Sequence, residues 1–479
     1  MHLPPLAILL AWIPFGAYLF RRYPACVAVL LNFFGGWAIL PGAAYIPSPS
    51  DFPYWILGDS LPTSYFLTKA TVPSLAALLG FAFFYSGDWR RFRPGLCDLP
   101  MVLWCCVPLL SGATHWNTFR EGLFGAAYQT LAWGVPWLLG RMYFADQDSM
   151  LLAAKASIAA GLCYIPICLV EIVTGPQLYA LLYGYEPYRW VGAQRYIGYR
   201  PIGLLEDGNQ LGIWMALATL LAVSLCVRKL ATHIFGLPLA WVAAGLAVTT
   251  LLCQSAGSIV LLLLLLPLAL ASWRSTLRIS IAAMVLAIVT FALLLMLNHA
   301  TLRALAENNP LFHAIASGLQ QIGRHSLVWR IARDDSHMAV ALQRPILGQG
   351  RWDWWQGGNA RPWGLWMLVF GMYGLVGLAA LGSILFLPLL RLAWPAGEDR
   401  NRIHPSLRPV LAALILIVAF DGLMNSALIL PYLLILGGIV APLAGSYLIN
   451  GATLKTPRLR PAIKAGLRSS TDASKAHMR

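Results

Sequence analysis

The chain has 479 residues, of which 59% are hydrophobic and 11% charged, and its mean hydropathy is +0.67. So little polar surface cannot enclose a core of this size in water, which excludes a soluble globular protein and makes a bilayer the solvent. The net charge of +15 does not point to nucleic acid, because the basic residues form neither one block nor a soluble basic domain.

In chain order, apolar stretches such as Phe235 to Cys253, Ile259 to Trp273 and Ile279 to Leu297 approach the roughly 20 residues needed to cross the hydrocarbon. The whole pattern predicts an all-α polytopic membrane protein of about 12–13 transmembrane helices. Residues 1–174 read as N-terminal transmembrane helices, 209–297 as central ones and 363–450 as C-terminal ones, with a basic cytoplasmic tail over 451–479. No basic stretch precedes the first apolar segment, so it is expected to remain as a helix rather than be cleaved. Pro14 and Gly16 are expected to interrupt the first span and Pro73 the third. The eight cysteines lack metal-ligand spacing, and six of them lie in or beside apolar spans, where they read as small core residues.

Basic residues recur in alternate loops: Arg21 and Arg22; Arg90, Arg91 and Arg93; Arg228 and Lys229; Arg274 and Arg278; Arg391 to Arg408; and the tail. This is the positive-inside pattern, and it puts the N-terminus outside and the tail in the cytoplasm. Two outside loops, 175–208 and 298–362, are long and carry arginine against that rule. Arginine held there acquires a purpose if it binds an anion. Apolar residues at helical spacing over 304–340 make the second loop partly helical.

The first loop holds Arg195 and Arg200, followed by Pro201, Gly203, Asn209 and Gly212. The second holds Gly323, Arg324 and Trp329, then Arg344 and the run Pro345, Gly348, Gly350, before a span with Gly371, Gly374 and Gly377. In this order the motifs resemble those of the O-antigen ligase and polysaccharide polymerase superfamily. The resemblance covers about Arg195 to Gly377 and implies a metal-independent, cofactor-free glycosyltransferase of a bacterial cytoplasmic membrane. Such an enzyme takes a glycan from undecaprenyl pyrophosphate at the periplasmic face; membrane lipid and other polysaccharide-assembly proteins are the further partners implied. Ligases of the superfamily carry a histidine at a helix start where this chain reads Gly357, Gly358, Asn359, Ala360, Arg361, Pro362, Trp363. Its absence favours polymerisation of exopolysaccharide or O-antigen repeats over ligation to lipid A core.

Residue chemistry fits the same transfer. Guanidinium groups bind phosphate oxygens bidentately and stabilise charge growing on a pyrophosphate leaving group. Arg195, Arg200, Arg303 and Arg330 are the expected pyrophosphate and sugar contacts, with Arg324 and His325 as the catalytic pair and His337 the alternative base. Glu206 and Asp207 are expected to cap a helix start or orient Arg200, and Glu171 to pair with an arginine of the first loop. Tyr179, Tyr183, Tyr185, Tyr188, Trp190, Tyr196 and Tyr199, with Trp352, Trp354 and Trp355, are candidates for stacking on sugar rings or anchoring at the interface. A flippase or transporter of lipid-linked sugars is the competing class. It predicts polar groups deep in several helices, where this chain offers Lys155, Glu171 and Asp421. A catalytically silent subunit is the third.

Overall fold

The computed structural model describes residues 3–44, 56–57, 66–113, 119–187, 193–272, 326–355, 361–395, 403–426 and 428–441, with scattered positions between 278 and 318. They belong to one body, Met1–Pro442. Arg303, Arg324 and His325, like the tail, lie outside the described residues.

The body is helical. In chain order come α1 (Pro5–Arg22), α2 (Ala25–Ile39), α3 (Val72–Phe84), α4 (Leu99–Ala113), α5 (Phe119–Gln129), α6 (Val135–Tyr143), α7 (Gln147–Thr174), α8 (Leu178–Tyr183) and α9 (Gly208–Val227). A two-residue hairpin follows, β1 (His233–Ile234) with β2 (Leu237–Pro238), then α10 (Leu239–Leu252) and α11 (Ala256–Leu270). Beyond the second long loop's first part come α12 (Ser326–Ala341), α13 (Leu365–Ala393), α14 (Arg408–Met424) and α15 (Leu433–Ile439). Among the described residues, four helical segments, Leu96–Ala113, Gln147–Thr174, Gly208–Val227 and Leu365–Ala393, are long and apolar enough to cross a membrane.

Several sequence expectations change here. Helix α1 runs through Pro14 without ending, and Pro73 sits in the first turn of α3, where its missing N–H costs nothing. Pro73 therefore starts a helix rather than breaking one. Its carbonyl accepts from Asn32 Nδ2 at 2.6 Å, and Asn32 Oδ1 accepts from Trp12 Nε1 at 2.9 Å, so the buried amide ties three helices together. All eight cysteines are free thiols; Cys168 and Cys253 are buried, while Cys106 and Cys163 lie on exposed helix faces.

The glycine-bearing helix α13 is broken at Gly374, whose φ of 64° and ψ of −159° suit only glycine. The segment from Pro345 to Gly350 fills the break. Gln349 and Gly350 donate their N–H groups to the carbonyls of Gly371 and Met372 at 2.9 Å each, and Leu375 and Val376 donate to the carbonyls of Pro345 and Ile346 at 2.8 and 3.1 Å. The Pro-x-x-Gly-x-Gly run and the helix glycines are thus two sides of one backbone joint, which satisfies groups that a break would otherwise leave bare at membrane depth. Gly348, at φ 68°, lets the two backbones touch: a Cβ there would lie 2.5 Å from Met372.

Among the described residues, hydrogen bonds at helix ends and loops include two sets. One joins Gly42 to Tyr179, Lys69 to Glu206, Ser111 to Leu347, Ile197 to Gln254 and Arg361 to Ser426. The other joins Tyr23 to Tyr85, Asp88 to Tyr143, Asp98 to Arg141, Arg228 to Ala269, and Arg141 and Arg391 to Val440.

Candidate arginine site

The first loop reaches α9 through a tight turn. Arg195 N–H donates to Gly198 O at 2.9 Å and Arg200 N–H to Ala193 O at 2.7 Å, with Gly198 at φ 62°. Both candidate arginines of this loop therefore sit on one small hairpin.

Three side chains fix the hairpin from outside it. Gln254, in the left-handed turn between α10 and α11, clamps the tip by donating to Ile197 O at 2.8 Å and accepting from Ile197 N–H at 3.3 Å. Glu171, in the last turn of α7, accepts from the N–H groups of Leu178, Ile202 and Gly203 at 3.2, 2.8 and 2.7 Å. This corrects the expected arginine partner: a carboxylate beside an irregular chain finds backbone donors closer at hand than a guanidinium. Asn209 accepts from the Arg200 guanidinium at 2.7 Å.

Arg200 lies across Gly208 so closely that a Cβ there would stand 2.6 Å from its Nε. Asp207 caps α9 by accepting from Asn209 N–H at 3.1 Å. Burial lowers the Arg200 pKa below its ordinary value, Asp207 opposes that, and the like charges of Arg195 and Arg330 lower it further. Two of the expected binding residues, Arg195 and Arg330, are thereby within electrostatic reach of a third, Arg200.

From the second loop, the Arg330 and Arg361 guanidinium carbons lie 5.5 and 4.7 Å from the centre of the Trp363 ring. Arg361 is buried and donates to Ser426 Oγ at 3.0 Å, while Arg333 Nε donates to the Arg361 carbonyl at 2.8 Å. Asp421, buried one helical turn before Asn425, accepts from Asn425 Nδ2 at 2.6 Å and lies in the field of Arg330 and Asp207. Arg200, Arg330, Asp207 and Asp421 are thus linked through their electrostatic fields.

Glu206 does not cap α9 with its side chain. Its two oxygens accept from Lys69 Nζ at 2.7 Å each, both side chains are buried, and the ammonium stands 4.5 Å over the Trp37 ring. Burial pulls Lys69 below its ordinary pKa and pushes Glu206 above its own, and each partner opposes the other's shift.

Other candidates are packing residues. His337 is buried, with Nδ1 against the Arg333 carbonyl at 2.7 Å and its ring edge-on to Trp354. Trp352, Trp354 and Trp355 are buried and stack edge-to-face on one another, and Tyr179, Tyr183 and Tyr185 are buried in a cluster of their own. Their rings are spent on protein rather than offered to sugars. Tyr188 and Trp190 lie outside the described residues, and Tyr196 is exposed.

The residues missed as members of the site are Gln254, Arg361, Asp421 and Lys69. Asp421 carried a signal, an acid inside an apolar stretch, and Arg361 is one of the arginines of the second long loop. Gln254→Gly keeps the left-handed turn and removes only the clamp. For the lipid-linked donor expected from the sequence, two hydrogen bonds worth about 1 kcal/mol each predict a roughly thirtyfold rise in KM with a smaller change in kcat, measured on purified protein; an unchanged KM would remove the clamp from the site. No family model, no curated protein and no solved structure matches the chain.

Proposed function

We propose that the protein is a polysaccharide polymerase of the bacterial cytoplasmic membrane, transferring glycan repeats from undecaprenyl pyrophosphate at the periplasmic face. The observation that carries this reading is that Arg195 and Arg330 both lie within electrostatic reach of the Arg200 guanidinium, while Arg330 and Arg361 share the Trp363 ring. Like charges gather there against their own repulsion, and an anion with several oxygens offsets that cost. Sidedness in this reading rests on the alternation of the basic loops.

In the reaction, the bond from the anomeric carbon to the pyrophosphate oxygen breaks and its electron pair leaves with the oxygen. The acceptor hydroxyl oxygen bonds to the anomeric carbon, and its proton passes to a base. The guanidinium groups stabilise the charge on the departing pyrophosphate, which needs no protonation to leave. Asp421 is the base in this reading, since it lies within electrostatic reach of Arg330 with one carboxylate oxygen bonded to Asn425 and the other without a hydrogen-bond partner among the described residues. Arg303 and Arg324 keep the roles the sequence reading gives them, and Asp421 takes the role of base expected there of His325.

The test is a deletion strain complemented with wild type or Asp421→Asn at matched membrane abundance, following long-chain polysaccharide and lipid-linked single repeats. The variant is expected to lose about a hundredfold in transfer rate while single repeats accumulate. Wild-type polymer from Asp421→Asn would remove Asp421 as the base.

A further inference from the structure

An apolar groove with a cavity of about 1120 Å³ runs along the body between α4, α13 and α14. Its two ends differ. Leu365 and Trp366 line one end and are buried, whereas Leu96, Leu99, Val102 and Leu390 line the other and are exposed, so the groove opens sideways there. From Ala379 to Leu390 the open part follows α13 for about 17 Å at 1.5 Å per residue, close to one leaflet of a ~30 Å hydrocarbon core. Packing leaves this space vacant: a Cβ added at Gly382 would meet only Phe386, at 3.8 Å.

The open end stops at a cluster of arginines. Cys97 follows Leu96, Arg391 follows Leu390, and the Arg391 guanidinium donates to Cys97 Sγ at 3.4 Å. Arg391 also donates to the Val440 carbonyl at 2.7 Å. Arg141 donates to that same oxygen at 2.6 Å, to Asp98 Oδ2 at 2.7 Å and to the Arg93 carbonyl at 2.9 Å. Two guanidiniums thus crowd one neutral oxygen within each other's field, and Asp98 balances one of them. Arg391 is half-buried and Arg93 exposed, so an excess of positive charge stands where the groove reaches water. Trp394, just past the end of α13, is exposed, as tryptophans at a membrane–water interface are.

The geometry points to a binding site for an anionic phospholipid, with an acyl chain in the open part of the groove and the phosphodiester against Arg391 and Arg93. Length and charge select this occupant. An acyl chain spans one leaflet, as the open part does. Its phosphate offers the paired oxygens that a guanidinium fork binds. A headgroup with net negative charge offsets the surplus, whereas a zwitterionic one brings an ammonium of its own into the cluster. The site does not depend on glycan transfer, since it lies at the end of the groove away from Trp366 and the Trp363 ring.

The experiment places the full-length protein in phosphatidylethanolamine nanodiscs with a trace of photoreactive phosphatidylglycerol or, separately, photoreactive phosphatidylcholine. Phosphatidylglycerol is expected to label peptides of α4 and of the Ala379–Leu390 stretch about tenfold more than phosphatidylcholine does, the ratio set by one charge-assisted contact. Arg391→Gln should abolish that preference and Arg391→Lys restore part of it. Gly382→Leu, which breaks no hydrogen bond of the cluster, should weaken labelling several-fold by filling the seat. Unchanged elution and helical content identify the variants that fold. Equal labelling by the two lipids, or wild-type labelling of Gly382→Leu, would overturn the site. So would displacement of the phosphatidylglycerol label by added undecaprenyl pyrophosphate, which would give the groove to a different lipid.

Discussion

Arg200→Ala is expected to lower glycan transfer by about 10²–10³-fold, the loss typical when a fixed donor to a developing oxyanion is removed. Arg200 is held on several sides: it is bonded to Asn209, lies over Gly208 and is balanced by Asp207. Holding a cation this way before substrate arrives means that little reorganisation remains for the reaction step. Arg200→Lys keeps the charge but not the planar fork, so it should recover only part of the rate. In a complemented deletion strain at matched membrane abundance, polymer should disappear while lipid-linked single repeats accumulate on the outer face. Polymer of normal length left on its carrier would move the reading to a ligase, and repeats retained on the inner face would move it to a flippase. Wild-type behaviour of Arg200→Ala would sink the arginine site altogether.

The parts of this site that were legible in the sequence are those whose partners are close in the chain. Arg195 and Arg200 fall on one hairpin, and Asn209 and Gly208 receive Arg200 within nine residues, so their spacing already described a local structure. The run from Pro345 to Gly350 was visible as a motif, but its purpose was not. It pairs with the break in α13 through backbone groups, which leave no trace in side-chain chemistry beyond the glycines that permit the contact. Charge matching misled at Glu171, because it compares side chains and three backbone N–H groups took the carboxylate instead. Aromatic composition misled at Trp352, Trp354 and Trp355, since the same residues suit a sugar platform and a buried edge-to-face cluster. Lys69 was illegible for a simpler reason: it pairs with a residue 137 positions away.

That pair makes a second strong expectation. Lys69→Met leaves Glu206 buried without its cation, and Glu206→Leu leaves the ammonium without its anion. Each single change is expected to cost about 3–5 kcal/mol of stability. The double variant removes both charges at once and should recover most of the loss, because replacing a whole buried pair by apolar groups is often neutral. Thermal unfolding of the purified full-length protein in detergent reads all three, with a large favourable coupling between the sites as the expected outcome. Singles that unfold with wild type, or a double variant as unstable as the sum of its parts, would show that the ion pair does not hold the structure together. Function provides a sharper reading of why the pair is there. Glu206 immediately precedes Asp207, its N–H bonds Gln210 at 3.1 Å, and Asp207 caps the helix whose Asn209 holds Arg200. The pair therefore anchors the start of α9 to the chain ahead of α3. If stability returns in the double variant but donor KM stays raised, the charges serve to position Arg200 as well as to hold the fold. If both return together, any apolar contact of the same volume does the same work.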